Sequence, residues 1–325
     1  MHRPAEPPDL MPPEPPDLMP PEPPDLMPAE PPDHPAPNPP AVPAVTGPTG
    51  PERPTRGWCA ATACRLEASA PKPGNVHPGA AFPDLDHHDL VSAGLAIAPL
   101  LDAAPGVPLG ATILGCVRAS RRVTRSNANL GIILALAPMA ATPGPHGPID
   151  PAAVSATLAR LTAADAAAVW EAIRAAAPGG LGRRDRHDLA APPPDDLLDA
   201  MRTAAGHDQI ARLWADGYGP LRDGLVADLA GERARGMSLD DAIVRAFLRQ
   251  LAREPDSLIV RRHGADVAAR VSAGAAGVLA SADWRGAAKQ LDTHLRGPTR
   301  INPGTTADLV ATALYILLWE GRLDA

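Results

Sequence analysis

From Thr55 onward the apolar residues recur at intervals of three and four, and no run alternates with period two. That pattern predicts helices and no sheet. The predicted segments are Thr55–Ala68, His87–Ala103, Leu109–Arg125, Leu130–Ala141, Pro151–Leu161, Ala163–Ala177, Asp195–Ala215 and Pro220–Arg235. They continue with Leu239–Arg253, Ser257–His263, Ala265–Ala280, a short one near Trp284–Leu295, and Thr306–Leu318. End signals agree with this reading. Asp150 precedes Pro151 as an N-cap with proline in the first turn, Ser238 and Asp241 have capping-box spacing, and Gly236 and Gly264 stand where helices stop. The expected fold class is therefore all-α, with one compact multi-helix domain over residues 55–325. The loop Pro178–Pro194 is the only plausible internal break and is read as a mobile excursion.

Residues 1–54 have a different character. An octapeptide, EPPDLMPP, begins at Glu6, Glu14 and Glu22 and decays after Glu30. Proline removes backbone donors, and one Leu and one Met per repeat cannot build a core, so a disordered, solvated tail is expected. The segment holds nine acidic residues against Arg3 and Arg53, which accounts for the whole net charge of -7 and leaves the helical part balanced. A balanced domain without a clustered basic face gives no reason to expect nucleic acid as a partner.

Aromatic residues make up only 3% of the chain, so the core must be packed from Ala, Leu, Val and Ile on closely approaching helices. The longest apolar runs, near Ile132–Ala141 and Leu309–Trp319, fall short of the roughly 18 residues of a membrane span. The N-terminus lacks the basic and apolar regions of a secretory signal. Cys59, Cys64 and Cys116 have no metal-site spacing and read as reduced, buried thiols. These features together predict a soluble, cytoplasmic protein without a membrane partner.

Four segments depart from plain helix: PKPGNVHPG (71–79), RSNANLG (125–131), REPDSLIVRRHG (253–264) and INPGTTADL (301–309). Each puts polar groups at a helix end, and helix N-termini that converge on one cleft would form an anion site without a basic surface. Three of the four have a plain structural explanation. Thr305 with Asp308 has capping-box spacing, Asp256 suits the start of the helix that Gly264 ends, and Asn127 suits the start of Leu130–Ala141. PKPGNVHPG resists that explanation, since neither Lys72, pinned between two prolines, nor His77 serves a cap, and both read as side chains held out for function. A fifth cluster lies in HDQIARLWADGY. There Asp208 and Arg212, four apart, suit either an exposed i,i+4 pair or a buried catalytic role. His87 and His88 beside Asp86 and Asp89 read as a solvated helix start.

Taken in order, EASAPKPGNVHPGA, SNANLGI, DSLIVRRHG and NPGTTADL resemble the triphosphoribosyl-dephospho-CoA synthase family over about Glu67 to Tyr315. Members are all-helical ATP:dephospho-CoA triphosphoribosyltransferases, which join the ribose carbon of ATP to a hydroxyl of dephospho-CoA and release adenine. The resemblance implies ATP as substrate, Mg²⁺ as cofactor and a hydroxyl-bearing acceptor as second substrate. It implies phosphate contacts from Lys72 and from Arg261 or Arg262, helped by the helix starts at Asn127 and Thr305. Gly74, Asn75, Asn129, Ser257, Asn302 and Thr306 complete the implied binding surface. Glu67, Asp208 and Asp308 are the implied metal carboxylates, and His77, His207, Asp208 and Asp256 the implied catalytic groups.

The chain departs from citrate-lyase-type members. His77 stands where they carry aspartate, and Ala128, Asn129 and Leu130 replace a Thr-His-Lys or Thr-His-Arg run before Gly131. This implies a divergent subgroup that keeps donor binding more securely than acceptor choice, with a ribitol-bearing pterin compound as an alternative acceptor. A glycoside hydrolase or phosphoribosyltransferase, and a non-catalytic helical module, are the rival classes. Only an enzyme requires Lys72, Asn127, Asp256 and Asp308 to meet at one cleft.

Overall fold

The computed structural model describes residues 53–124, 126–176 and 187–324. Residues 1–52, and residues 178–186 of the Pro178–Pro194 loop, for which disorder and mobility are expected, lie outside the described residues. The helices are α1 (Arg56–Ser69), α2 (His87–Asp102), α3 (Leu109–Val123), α4 (Leu130–Ala141), α5 (Pro151–Leu158), α6 (Ala163–Ala176), α7 (Leu197–Ala204) and α8 (Gln209–Asp216). Next come α9 (Gly219–Leu221), a π-turn (Arg222–Val226) and α10 (Ala227–Ala234), which run on without interruption. The chain ends with α11 (Leu239–Arg253), α12 (Ser257–His263), α13 (Ala265–Ala280), α14 (Trp284–Leu295) and α15 (Gly304–Trp319). No strand occurs among the described residues, and none of their helices is long and apolar enough to cross a membrane by itself.

The core is organised around the two most apolar helices. In α15 nearly every residue from Thr305 to Trp319 is buried, because α1, α4 and α11 all pack against it. Small residues permit the close crossings that a core poor in aromatics requires. A Cβ on Gly94 of α2 would lie 2.6 Å from the Cβ of Cys64 on α1. Proline inside α4 has a consequence for its neighbour. Pro138 has no N–H for the carbonyl four residues earlier, and Trp214 Nε1 of α8 donates to that oxygen, on Leu134, at 2.9 Å. Tyr218 OH donates to the next carbonyl, Ala135 O, at 2.8 Å. The stretch of α4 before Pro138 is thereby tied to α8 and to Tyr218 just beyond it.

Several local expectations hold. Asp150 accepts from Ala152 N at 2.9 Å, Ser238 accepts from Asp241 N at 3.3 Å, and Gly236 and Gly264 take positive φ values of 80° and 88°. Others are corrected. The single helix expected over Asp195–Ala215 is two, α7 and α8, because Asp208 leaves helical geometry and its carboxylate caps Ile210 and Ala211 N–H at 2.9 and 3.0 Å. Arg212 does not pair with Asp208; it bonds Glu254 and the carbonyl of Ala205.

All three cysteines are free and buried. Burial raises their thiol pKa values, to about 12 for Cys59 and Cys116 and further for Cys64. Thiolate is the reactive form, so the native protein at pH 8 is expected to resist a disulfide-exchange reagent and to release about three thiol equivalents only in denaturant. Rapid labelling of the native protein would contradict this packing.

Candidate active site

The motif PKPGN folds as two consecutive turns. Lys72 N donates to Ala70 O at 2.8 Å around Pro71, and Asn75 N donates to Lys72 O at 3.1 Å around Pro73 and Gly74. Gly74 has φ 78°, the conformation that the third position of a type II turn requires after proline. The turn is held from outside. Gly74 N donates to Asp292 Oδ1 at 2.7 Å, Arg296 Nε clasps both oxygens of Asp292, and a second guanidinium nitrogen of Arg296 reaches Asn75 O. Asn75 Nδ2 donates to Asn302 Oδ1 at 2.6 Å, joining the first motif to the last.

A second junction joins the starts of three helices. Asp256 is fully buried. Its Oδ1 caps α12 through Leu258 N and Ile259 N at 2.9 and 3.0 Å. Its Oδ2 accepts from Thr306 N and Thr306 Oγ1 at 2.7 and 2.8 Å, which serves the start of α15 from outside that helix. Ser257 adds a bond from Oγ to Thr305 Oγ1 at 3.1 Å and one from N to Gln209 Oε1 at 3.0 Å. The expected Thr305–Asp308 capping box does not form: Pro303 is the N-cap residue and no side chain of α15 caps its own start.

These junctions frame a cleft of about 1400 Å³. From the predicted set, Glu67, Asp208 and Asp308 bring carboxylates to its wall, and Arg261 and Arg262 bring cations. Asn75, Asn127, Asn302, Ser257, Thr305 and the exposed His207 line it as well. Asp208 Oδ2 faces Arg261 at 3.4 Å. The carboxyl of Asp308 lies against Gly131 at the start of α4, where a Cβ would come within 2.6 Å of Asp308 Cγ. Burial, then the charges of Glu67, Asp256 and Asp208, push the Asp308 carboxyl well above the usual carboxylate range. The negative charge concentrated there suits a cation.

Four predicted residues sit one layer behind the wall. Lys72, expected to be displayed, has 0% exposure, and its ammonium turns inward to Glu67. Asp256 has both oxygens committed to helix starts and so cannot take a proton from a substrate. Thr306 is buried against it. Asn129 is 1% exposed and does not line the cleft; in the orientation that satisfies both ends of its amide, Nδ2 donates to Ala128 O at 2.7 Å and Oδ1 accepts from Gly94 N at 3.2 Å. Asn127 caps no helix, and its exposed side chain lines the cleft. Gly74 serves the clamped turn. His77 also lies off the cleft wall, with Nδ1 accepting from Gly79 N at 3.2 Å. Burial and the Arg296 cation lower its pKa, which favours the neutral imidazole.

Sequence reasoning missed Arg300, which lines the cleft from a left-handed backbone position, φ 46°, two residues before Asn302. Its nearness to the last motif was the available signal. It also missed the apolar wall made by Trp170, Ile173, Leu189 and Met201. No local pattern separates those residues from ordinary core.

The family model for ATP:dephospho-CoA triphosphoribosyl transferases matches residues 54–324. No curated protein matches the chain. Among solved structures, the fold is similar to that of a proposed triphosphoribosyl-dephospho-CoA synthase from Archaeoglobus fulgidus, with TM-score 0.57 and 24% identity over 71% of this chain and 99% of the other. The chain belongs to the ATP:dephospho-CoA triphosphoribosyl transferase family and is a transferase enzyme.

Proposed function

We propose that this member of the family transfers the 5-triphosphoribosyl group of ATP to an acceptor hydroxyl, with release of adenine. The observation that carries the reading is the meeting, in one cleft, of two sets of side chains, one cationic and one of carboxylates. Arg261, Arg262 and Arg300 stand with the start of α15, and Glu67, Asp208 and Asp308 stand with them in the same space. A triphosphate suits the first set, since guanidinium groups and a helix N-terminus both favour phosphate oxygens. The second suits the positive charge that develops on the ribose carbon as the bond to adenine breaks. In this reading His207, which is exposed on the cleft, accepts the acceptor's hydroxyl proton. A set of caps with no shared function has no need to converge in this way.

Glu67, Asp208 and Asp308 fit a Mg²⁺ that arrives with the nucleotide. Among the described residues no three His, Cys, Asp or Glu side chains stand close enough to hold an ion alone, and Mg²⁺ commonly takes one or two carboxylates with substrate phosphates. The bound ion would supply charge neutralisation on the phosphate oxygens. The apolar wall of Trp170, Ile173, Leu189 and Met201 leaves room for an acceptor beside the nucleotide.

Mass spectrometry of the protein incubated with ATP, Mg²⁺ and an acceptor tests the reading. Dephospho-CoA and ribitol-bearing pterin compounds are the acceptors to supply. Free adenine together with a product carrying the triphosphoribosyl mass is expected; intact ATP with every acceptor, or ribose triphosphate formed by water alone, counts against transfer. Arg262 gives a second test. It is exposed on the cleft, so Arg262→Ala is expected to change stability by no more than about 0.5 kcal/mol. Calorimetric titration should show ATP binding weakened by about 1.5–3 kcal/mol, the scale of hydrogen bonds to charged groups. Unchanged ATP affinity would remove Arg262 from the phosphate site.

A further inference from the structure

Lys72 is the residue that the sequence singles out most strongly, and its position in the fold differs from its expected one. An ammonium has three N–H donors. Those of Lys72 face three acceptors: Glu67 Oε1 at 3.0 Å, the Glu67 carbonyl, and Ala70 O at 3.2 Å. Donor capacity is used up, and with 0% exposure no surface remains for a phosphate. The two prolines explain how the side chain comes to point this way. The turn at Pro71 and the turn at Pro73–Gly74 reverse the chain just beyond α1, which folds Lys72 back over the end of that helix. Glu67 lies in the last turn of α1, where no basic residue occurs and the helix dipole disfavours a carboxylate. Lys72 supplies the missing cation from outside the helix. Glu67 is itself only 4% exposed, yet it lines the cleft.

We infer that Lys72 is a positioning residue: its buried ammonium fixes the Glu67 carboxylate at the cleft wall, and it touches neither ATP nor acceptor. This rests on the reading of the cleft given above, in which Glu67 works in the nucleotide site. A residue acting only through Glu67 becomes dispensable once the carboxylate is gone, whereas a phosphate ligand keeps its value.

A double-mutant cycle separates the two roles. K72M, E67Q and K72M/E67Q are measured for kcat, for ATP affinity by calorimetry, and for melting temperature. K72M and E67Q are each expected to lower kcat by about 100-fold, the scale of one preorganised electrostatic group. The double variant should be no slower than E67Q and should bind ATP within about threefold of E67Q, as strongly coupled partners do. It should also melt above K72M, because removing both charges leaves no carboxylate buried without its partner. A double variant slower than E67Q, or one that binds ATP more than about threefold more weakly than E67Q, overturns the inference. If K72M alone does not fold, E67Q and the double variant carry the same comparison. Parent protein that binds no ATP would defeat the reading of the cleft. The melting temperatures would still decide the Lys72–Glu67 relation, since a double variant that melts no higher than K72M would overturn it.

Discussion

Replacing Asp256 by alanine is expected to cost the protein about 4 kcal/mol or more of stability. A single helix cap is worth about 1 kcal/mol and at most about 2, and Asp256 serves two helices. Its removal leaves Leu258, Ile259 and Thr306 N–H and the Thr306 hydroxyl without their acceptor in the interior. Each buried unsatisfied group adds about 1–3 kcal/mol unless water reaches it. Losses of this size are a large share of the roughly 5–15 kcal/mol that holds a domain together. Asp256→Asn should cost about half as much, because the amide oxygen can still cap one helix while the amide nitrogen cannot accept from Thr306. Denaturant titration of the two variants checks the ranking. Equal, small losses below about 1 kcal/mol would show that the shared cap does not anchor α12 to α15.

Gly131→Ala is expected to do the reverse, leaving stability nearly unchanged and removing most activity. Gly131 lies in the first turn of α4, and alanine is favoured over glycine by up to about 0.8–1 kcal/mol, the figure for helix interiors. Its new Cβ would meet the Asp308 side chain, lying 2.6 Å from Cγ and 3.3 Å from Cβ. A carboxylate at the end of a short side chain can swing aside at a cost of about 0.5–1.5 kcal/mol, so the two contributions roughly cancel. The displaced group is one of the cleft carboxylates. A misplacement of about 1 Å at a reacting centre can cost about 100-fold in rate, and kcat should fall on that scale while the melting temperature holds. Asp308→Asn should match it in activity. A G131A protein with parental kcat would mean that the position of Asp308 does not matter to the reaction.

The site was partly legible. Eleven of the predicted residues line the cleft, among them all three carboxylates named for the metal and both motif arginines. Lys72, Asn129, Asp256 and Thr306 came from the right segments but lie behind the wall. The error has one physical origin. A motif marks where a chain has unusual polar residues, but the direction of a side chain follows from which partner reaches it first. Lys72 has Glu67 five residues back, reached only because two turns reverse the backbone. Thr305 and Asp308 have the right spacing for a local box, yet Asp256, fifty residues before Thr306, caps that helix instead. Arg300 carried too weak a signal to be picked out, and the apolar wall carried none.

By itself the sequence determined the elements that depend on neighbours within a turn or two. Helical periodicity, the caps at Asp150 and Ser238 and the left-handed glycines at 236 and 264 are local, and their energies are nearly independent of the rest of the chain. Tertiary structure alone decided whether Asp208 would break a helix toward Arg261, whether Lys72 would face a nucleotide or Glu67, and which carboxylate would serve the start of α15. Each of those outcomes is a competition between alternative partners, brought within reach by the fold, for the same polar group. Burial settles such competitions, because an unpaired polar group costs most where water is excluded.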